Sequence, residues 1–429
     1  MRTLAFGALD DSLEVWLTQL GLEPPVDPYL RALVAFGRMA EGGIGIVNHC
    51  HNSQNFAVLR DETEAVARAA NDLGVRVAFA VPLLGHNPIA YGDPAPLFAE
   101  LGAKESGILR RRAETMPSLE EQLAVAEELF EFQDDLFTVQ YGPVAPQWVD
   151  AATLENVAER SLRHGRRVHM HMLETKAQRE SADASFPDGL VNRLDEIGLL
   201  SPRLTIAHGT YLTRDECDLL VDRGVAVSVN TSSNLRLRSG IAPVADYVAS
   251  GLTFGMGLDG MAFDDDEDAF REMRLLWHLH RGFAYKEILS RDRLLKAVLF
   301  DGRKTILGPD QPDSLKEGGP ADIALVDLDA VSGDTIPGRT DPLDLLLTRG
   351  TRALVQDLWI AGRRVLNNGV CTGVDLPSAE AELTDQARKA ASTVDFESVD
   401  RIADAYRSYY RCGCHIPGAP ARNKGAARG

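Results

Sequence analysis

The stretches VHMHMLET (168–175), TIAHGT (205–210) and LTFGMGLDG (252–260) follow one another along the chain. Each contains a short apolar run of strand length, followed by side chains able to bind a metal ion or to transfer a proton. The side chains concerned are His171, His208 and Asp259. Barrel enzymes build their active sites from the ends of several separate strands. The three stretches therefore predict an α/β barrel with a site at the carboxyl ends of its strands.

Strands and helices alternate along the first 310 residues. Apolar, β-branched runs predict strands at 44–48, 75–81, 136–141, 167–173, 203–207, 225–229 and 252–258. The intervening stretches have helical periodicity, and several end in glycine, as helices often do. Such alternation predicts parallel strands covered by helices, in a barrel or in an open doubly wound sheet. Polar residues at successive strand ends, with no G-x-G-x-x-G after the first strand, favour a TIM-like (β/α)8 barrel.

The sequence changes character after residue 310. Residues 311–375 contain short runs with turn signals, such as GGPADIALVD (318–327), and predict a small β-sandwich unit beside the barrel at 1–310. Residues 376–429 predict a helical extension, and its tail beyond about residue 416 is expected to be disordered because it has few apolar residues.

Composition favours a small-molecule partner. The chain has 429 residues, 45% of them hydrophobic, and a formal net charge of -18. This charge argues against nucleic acid or an anionic membrane surface as a partner, since both attract basic patches. No window approaches the roughly 18 apolar residues of a membrane span, and the first residues do not resemble a signal peptide, so a cytoplasmic location is expected.

The five cysteines are scattered and odd in number, which predicts reduced thiols instead of a disulfide framework. Three residues near the end of the chain, Cys412, Cys414 and His415, could bind a soft metal ion. No second pair is present to complete a tetrahedral site there. Their role is left open.

Six of the ten histidines occur in His-x-His pairs. On a strand, the two side chains of such a pair point to one face, whereas on a helix they lie roughly 200° apart and cannot chelate one ion. His169 and His171 lie on a predicted strand, with Glu174 just beyond its end. His278 and His280 lie in a stretch of helical periodicity and are expected to be packing or surface residues.

The third pair is His49 and His51, at the end of IGIVNHCHNS (44–53). These residues are either a second chelating pair or two polar residues at the rim of a strand. Local spacing does not decide between these alternatives.

Taken together and in this order, the motifs resemble the amidohydrolase superfamily, specifically its cytosine deaminase and chlorohydrolase-like branch. The resemblance covers roughly residues 29–370. VHMHMLET is similar to the signature of strand 5 in that family, TIAHGT to strand 6, and the end of residues 229–260 to the aspartate of strand 8. It implies a hydrolase acting on C–N bonds other than peptide bonds, with one divalent metal ion, zinc or iron. One ion is expected because the strand 4 run, DDLFTVQYGP (134–143), has no bridging lysine.

The resemblance also implies a role for each residue. His171 would bind the metal, and Asp259 would bind it and accept a proton from water. Glu174 would transfer protons and contact the substrate. His208 would polarise the substrate or the attacking water, with a possible place among the metal ligands.

The candidate substrate contacts are Gln140, Trp148 and Asn234. Gln140 could hydrogen-bond a ring amide and Trp148 could stack on a planar group, although both residue types are more often structural. Arg236 and Arg238 could bind a carboxylate, but the favoured interpretation is that they are solvated loop arginines.

The acidic run Asp264–Asp268 follows Asp259 closely enough to suggest a second cation site. The interpretation favoured by the sequence is an acidic helix N-terminus, which the helix dipole stabilises.

Counting strands from IGIVNHCHNS places His171, His208 and Asp259 each one strand earlier than in the family. We therefore expect the first barrel strand, with its His-x-His, to lie before Met1, and metal affinity to be low without it. One predicted function is hydrolytic deamination of a small nitrogenous ring or amidine. A second is a catalytically inactive barrel that binds a small molecule. A third possibility is that His49 and His51 rebuild the metal site, and a homodimer is possible by analogy with the family.

Overall fold

The computed structural model describes residues 10–20, 23–53, 55–85, 89–260, 267–312, 314–336, 338–414 and 416. Its largest element is a seven-stranded sheet in the order β1-β2-β3-β4-β5-β6-β7, and every neighbouring pair is parallel. The strands are β1 (Ile46–Cys50), β2 (Arg76–Leu83), β3 (Phe137–Pro143), β4 (Val168–Met172), β5 (Leu204–His208), β6 (Ala226–Val229) and β7 (Thr253–Met256). Each of the seven predicted strands overlaps one of them. The predicted barrel-type α/β fold is confirmed.

The described residues form helices that connect the strands, and several of these helices cover the outer side of the sheet. They are α1 (Leu13–Gln19), α2 (Pro28–Glu41), α3 (Leu59–Leu73), α4 (Ala95–Glu100), α5 (Ala103–Glu114), α6 (Leu119–Glu128), α7 (Ala151–His164), α8 (Lys176–Ser185), α9 (Leu190–Glu196), α10 (Arg214–Asp222), α11 (Thr231–Arg236), α12 (Val244–Ser250), α13 (Ala269–His280), α14 (Arg291–Lys296), α15 (Gly302–Leu307), α16 (Asp329–Ser332), α17 (Pro342–Arg349), α18 (Leu376–Ala390) and α19 (Phe396–Arg411). A π-helical turn at Ala297–Asp301 joins α14 to α15.

Local signals in the sequence explain several helix boundaries. Ser118 and Glu121 form a capping box at the start of α6, and Thr213 and Glu216 form another at the start of α10. In each box the Ser or Thr hydroxyl accepts from the backbone N–H of the Glu, and the Glu carboxylate accepts from the backbone N–H of the Ser or Thr. The two bonds satisfy N–H groups that have no partner within the first helical turn. Helix α7 ends at Gly165, whose φ of 63° is the left-handed conformation that glycine adopts without strain.

The main hydrophobic core lies between the outer face of the sheet and its helices. Phe79, Phe137, Met170, Ile206 and Phe254 are all buried there. Along each strand these residues alternate with residues that point to the inner face, which is also covered in a parallel sheet. The polar residues of the site lie on that inner face.

Helix α15 lies against the inner face of the sheet near the amino ends of the strands. It contacts β6, β7 and β1, and among the described strands β1 and β7 do not pair with each other. Gly255 permits the approach, since a methyl group there would lie 2.7 Å from the Cα of Gly302. Arg167 fixes the helix by donating to the Thr305 carbonyl at 3.1 Å and to the Thr205 hydroxyl at 2.9 Å. The carboxyl ends of the strands remain open to form a site.

The remaining strands form two small antiparallel sheets. One contains β10 (Ile323–Val326), β11 (Val355–Ile360), β12 (Arg363–Asn367) and β13 (Val370–Cys371), and the other is a hairpin of β8 (Gly282–Phe283) and β9 (Lys286–Glu287). The four-stranded sheet falls inside the predicted β-unit at 311–375. Helices α18 and α19 fall inside the predicted extension, where α18 packs on α2 and α19 packs on α1. Of the helices that the structure describes, none combines the length and apolarity needed to cross a bilayer.

The expectation of reduced thiols is wrong for one pair of cysteines. Cys412 and Cys414 are joined by a disulfide, while Cys50, Cys217 and Cys371 are free. The chain turns at the end of α19 and brings the two Cα atoms to 5.4 Å, a separation that a disulfide spans. His415, the third member of the predicted cluster, and the tail 417–429 lie outside the described residues.

Candidate active site

His171, Glu174, His208 and Asp259 come together at the carboxyl ends of the strands. The rings of His171 and His208 are stacked with their centroids 5.6 Å apart. The Nε2 atom of His208 is 3.6 Å from the Glu174 carboxylate. Burial lowers the pKa of His171 and raises that of Glu174, and the nearby Asp259 charge favours the protonated form of both. The structure thus brings the three strand-end landmarks and Glu174 into one cluster.

Three residues in or next to the cluster have a left-handed backbone conformation, which residues other than glycine rarely adopt. The φ angles are 49° at Leu173, 73° at His208 and 63° at Asp259. Such a conformation costs about 1–3 kcal/mol and is common at functional sites. Ile206 packs among the outer helices, and strand alternation alone would direct His208 the same way. The left-handed turn at His208 is what brings its ring to His171.

Both imidazole rings are held in the tautomer that suits metal binding. Nδ1 of His171 lies 2.8 Å from the Val144 carbonyl, and Nδ1 of His208 lies 2.8 Å from the side-chain oxygen of Asn234. Because a carbonyl oxygen only accepts, Nδ1 of His171 carries a proton. At His208 the 2.8 Å contact with the Asn234 oxygen is shorter than the 3.4 Å contact between Nδ1 and the Asn230 side-chain nitrogen. In the neutral form of each ring with the proton on Nδ1, Nε2 has the lone pair that binds a metal ion or a substrate.

The two carboxylates of the cluster are held by serine hydroxyls. Ser239 donates to Glu174 at 3.1 Å, and Ser233 donates to Asp259. Glu174 is buried, and burial together with the Asp259 charge raises its pKa to about 8. In the metal-free protein near pH 7, Glu174 is therefore mostly protonated and can donate a proton.

Helix α11 supplies the residues that support the cluster. It carries Ser233 and Asn234, and its second residue, Ser232, donates its backbone N–H to the Glu272 carboxylate at 2.9 Å. Ser233, Ser239 and Glu272 were not identified from the sequence. The serines lie in the same stretch, 229–260, that carried the family resemblance, and this proximity was the available signal.

Two of the predicted substrate contacts pack against other side chains of the protein. Gln140 is buried and donates its side-chain N–H to Asn48 on the inner face of β1. The Trp148 ring is 5.8 Å from the ring of Tyr91, beside the start of α8. Asn234, the third, contacts His208. Direct contact of these residues with a substrate stays a prediction.

His49 and His51 point away from the cluster. The His51 Nε2 atom is 2.9 Å from Glu62 on α3, and His49 packs edge-on against Phe36 on α2, with 5.9 Å between the rings. The two imidazoles also contact each other at 3.2 Å. The possibility that this pair rebuilds the metal site is contradicted, because both rings face the helical layer.

The other pair, His278 and His280, lies at the end of α13, and the helix predicted there is confirmed. Asp268, the last residue of the acidic run, caps α13 by accepting from the backbone N–H groups of Phe270 and Arg271. The helix N-terminus interpretation is confirmed for that residue. Asp264, Asp265 and Asp266 lie outside the described residues.

Arg236, the last residue of α11, and Arg238, two residues later, pair with aspartates near the N-terminus of the chain. Arg236 makes a two-pronged contact with Asp10 at 2.8–3.1 Å, and its side chain is 23% exposed. Arg236 thus pairs with a carboxylate of the chain itself while part of its side chain remains in contact with solvent. Arg238 is exposed, as predicted, and contacts Asp11 at 3.3 Å.

The cluster contains side chains of the kinds that bind a divalent metal ion. Two imidazole Nε2 atoms and the Asp259 carboxylate are ligands of the kind that zinc binds. Within the described ranges, no three His, Cys, Asp or Glu side chains lie close enough together to enclose an ion. The cluster thus has suitable ligand chemistry without a closed coordination sphere.

Comparison with known proteins decides the family. Residues 2–365 match the Amidohydrolase family. The chain belongs to this family. The resemblance inferred from the strand-end motifs is confirmed.

Deaminases are among the similar members of the Amidohydrolase family. A 5-methylthioadenosine/S-adenosylhomocysteine deaminase of Dictyoglomus thermophilum is 30% identical over 241 residues, which are 55% of this chain and 56% of that protein. An 8-oxoguanine deaminase of Pseudomonas aeruginosa is 31% identical over 303 residues, 68% of this chain and 64% of that protein. The chain thus matches between half and two thirds of the length of these relatives.

A solved structure supports the same fold. The adenosine deaminase from Xanthomonas campestris with bound zinc superposes with a TM-score of 0.75 and 27% identity. The match covers 91% of this chain and 83% of that chain.

Replacing Asn234 with leucine is expected to disturb His208. The buried Nδ1–H of His208 loses the Asn234 acceptor 2.8 Å away, and an unpaired buried donor costs about 1–3 kcal/mol of unfolding free energy. Urea denaturation of the Asn234→Leu variant measures the loss. Asn156→Leu is the matched control, since Asn156 is only partly buried on α7 and its replacement is expected to stay within about 0.5 kcal/mol of the parent. Equal losses in the two variants would contradict the role assigned to Asn234.

Proposed function

We propose that this protein is a metal-dependent hydrolase that deaminates a small nitrogenous ring, with an aminopurine base or nucleoside as its substrate. The observation that carries the proposal is the convergence of His171, Glu174, His208 and Asp259 at the strand ends. Family membership and the names of the similar deaminases support it. Its acidic composition favours a small molecule over nucleic acid or an anionic membrane, and a cytoplasmic location is part of the proposal.

The proposal includes one divalent ion, held by His171 and Asp259 with His208. Zinc is favoured over iron, because the similar adenosine deaminase structure contains zinc. Such an ion, when bound, lowers the pKa of water and so supplies a nucleophile at neutral pH.

The protein's own residues would move the protons. Asp259 accepts the proton of the attacking water, and Glu174 donates a proton to the ring nitrogen beside the carbon under attack. Water adds to that carbon, and the proton taken up by Asp259 passes to the amino group, which leaves as ammonia. The hydroxyl group of the intermediate then returns a proton to Glu174 as the C=O bond forms, which restores both carboxyl groups. The Ser233 and Ser239 hydroxyls hold the two carboxylates in position for these transfers.

Ammonia release tests the activity. The full chain is incubated with one equivalent of zinc and, separately, with adenosine, 5′-deoxyadenosine or 8-oxoguanine, and ammonia is measured in a coupled assay. Turnover of at least one compound, abolished by a chelator, is expected. Absence of turnover for all three would overturn the proposed substrate class.

The alternative function is a barrel that binds a small molecule without catalysis. It is favoured by one observation, the lack of three enclosing metal ligands among the described residues. It predicts that a purine binds the zinc-free chain with unchanged affinity and without ammonia release. Calorimetry with and without zinc distinguishes the two functions.

Zinc binding is expected to be weak and to depend on His171. The three side chains proposed as ligands do not enclose an ion in the described structure, so the affinity is expected to be lower than that of a site with three or four converging ligands. The His171→Ala variant is expected to lose zinc, as measured by metal analysis after equilibrium dialysis. His51→Ala is the control, because His51 faces Glu62 outside the sheet. An equal loss in His51→Ala would contradict the assigned site.

A further inference from the structure

The backbone of Tyr91 is held by the C-terminal helix. Tyr91 is buried in the loop between β2 and α4. Its carbonyl accepts a hydrogen bond from the Tyr409 hydroxyl, and its N–H donates to the Tyr410 oxygen at 3.4 Å. The Tyr91 ring also lies 5.4 Å from the ring of Tyr410 and 5.8 Å from that of Trp148. Helix α19 therefore fixes where Tyr91 lies, although more than 300 residues separate them in sequence.

The Tyr91 hydroxyl connects this helix to Glu174. It donates to the Glu14 carboxylate at 3.3 Å and accepts from the Gln178 side-chain N–H at 3.3 Å. The oxygen of the same Gln178 side chain accepts the backbone N–H of Glu174 at 2.7 Å. Gln178 is thus held at one end by Tyr91 and holds Glu174 at the other.

Glu14 on helix α1 strengthens the arrangement. Its carboxylate is buried and also accepts a hydrogen bond from the hydroxyl of Thr175, the residue after Glu174 and the N-cap of α8. A buried carboxylate costs free energy unless donors surround it, so Tyr91 and Thr175 are constrained to face it. Buried hydrogen-bond networks of this kind fix one arrangement when each member is satisfied.

The position of the Glu174 side chain follows from this network. Its backbone is fixed through Gln178 and the neighbouring Thr175, and one carboxylate oxygen accepts from Ser239 at 3.1 Å. The other oxygen is then directed at His208 Nε2, 3.6 Å away.

We propose that Tyr91 is a positioning residue for Glu174, and that α19 belongs to the working active site because it holds Tyr91. The inference rests on the proposed function for the role of Glu174. Neither Tyr91 nor α19 carries a metal-binding or proton-transfer group of the cluster. Their effect is exerted through Gln178 on the orientation of the Glu174 carboxyl group.

Two conservative variants of the full chain test the proposal. Tyr91→Phe removes the hydroxyl and keeps the ring, and Tyr410→Phe removes the oxygen that accepts from the Tyr91 backbone. Tyr29→Phe is the matched control, since Tyr29 loses a 2.7 Å hydrogen bond to Asp72 far from the cluster. Two quantities are measured, amide hydrogen exchange in the peptide covering residues 173–179, and kcat with KM for the best purine substrate.

Tyr91→Phe and Tyr410→Phe are expected to exchange faster in this peptide, whereas Tyr29→Phe is expected to match the parent. The kcat of Tyr91→Phe is expected to fall about 10-fold with KM unchanged, the size of effect seen when a residue supporting a catalytic group is removed. Unchanged exchange in Tyr91→Phe, or a loss confined to KM, would overturn the inference. If the parent chain has no turnover, the proposed function fails, and the exchange data alone decide whether Tyr91 positions Glu174.

Discussion

Replacing Glu174 with glutamine is expected to lower kcat by about 10²–10⁴-fold, the usual contribution of a proton-transfer group. Glutamine keeps the shape of the side chain and its contact with the Ser239 hydroxyl, but it has no carboxylic proton to donate. The substrate therefore still binds, while protonation of the ring nitrogen beside the carbon under attack becomes slow. Steady-state ammonia release, with kcat and KM determined separately, measures the effect.

The same variant is expected to gain stability at alkaline pH. Burial and the Asp259 charge raise the pKa of Glu174 to about 8 in the folded, metal-free protein, from an ordinary value of 4.5. The folded state holds this proton to higher pH than the unfolded chain, so the favourable contribution is complete below about pH 4.5 and is lost as the pH rises through 8. Glutamine does not titrate. Glu174→Gln should therefore melt above the parent at pH 9, and the difference should shrink toward pH 5.

The kcat and the melting temperature of Glu174→Gln together distinguish a loss of catalysis from a loss of folding. A variant that lost activity because it was unfolded would not melt at a higher temperature than the parent. Glu62→Gln is a suitable control, since Glu62 contacts His51 on the outer side of the sheet and should leave kcat unchanged. A Glu174→Gln variant with parental kcat would remove Glu174 from the proposed chemistry.

The strand-end residues could be predicted from sequence because the information is local. His171 and His208 each end an apolar run of strand length, and the ends of parallel strands meet at one edge of a sheet. Order along the chain was therefore sufficient to place them together. The same argument held for Asp259, which follows β7 after a short gap.

The network around Glu174 could not be predicted, because its contacts join distant parts of the chain. Thr175 and Glu14 are 161 residues apart, and Tyr91 and Tyr410 are 319 apart. Periodicity and capping signals describe neighbours within a helix or strand, and they contain no information about which separate segments meet. Helix α19 was thus predicted as an extension, while the structure packs it on α1 and against the loop of Tyr91.

The face of the sheet to which His49 and His51 point could not be predicted from the local sequence either. Alternation along β1 establishes that both point to one face and that Asn48 and Cys50 point to the other. Parallel strands are covered on both faces, so the hydrophobic pattern does not mark the inner face. In the structure Asn48 faces inward to Gln140, and the histidines face α2 and α3.

Replacing Phe79 with alanine is expected to reduce the free energy of unfolding by about 3–5 kcal/mol, the range for a fully buried aromatic ring. Phe79 has no exposed surface, and its ring lies 4.9 Å from that of His51, 5.5 Å from that of His49 and 5.6 Å from that of Phe137. Its removal leaves a cavity beside two imidazoles. Urea denaturation at pH 7 measures the loss. The matched control is Phe283→Ala, because Phe283 is exposed on the β8–β9 hairpin and its replacement is expected to stay within about 0.5 kcal/mol.

The pH dependence of this loss distinguishes a cavity beside the histidines from a simple deletion of apolar surface. Burial, together with the neighbouring His51, lowers the pKa of His49 to about 3 in the folded protein. The contribution of neutral His49 to stability is therefore present above about pH 6.5 and is lost as the pH falls toward 3. Water entering the cavity in Phe79→Ala moves the pKa of His49 back toward 6.5, so the variant loses less stability on acidification. The stability difference between parent and variant should narrow from pH 6.5 to pH 4, and a constant difference would contradict the expected change in the surroundings of the His49 ring.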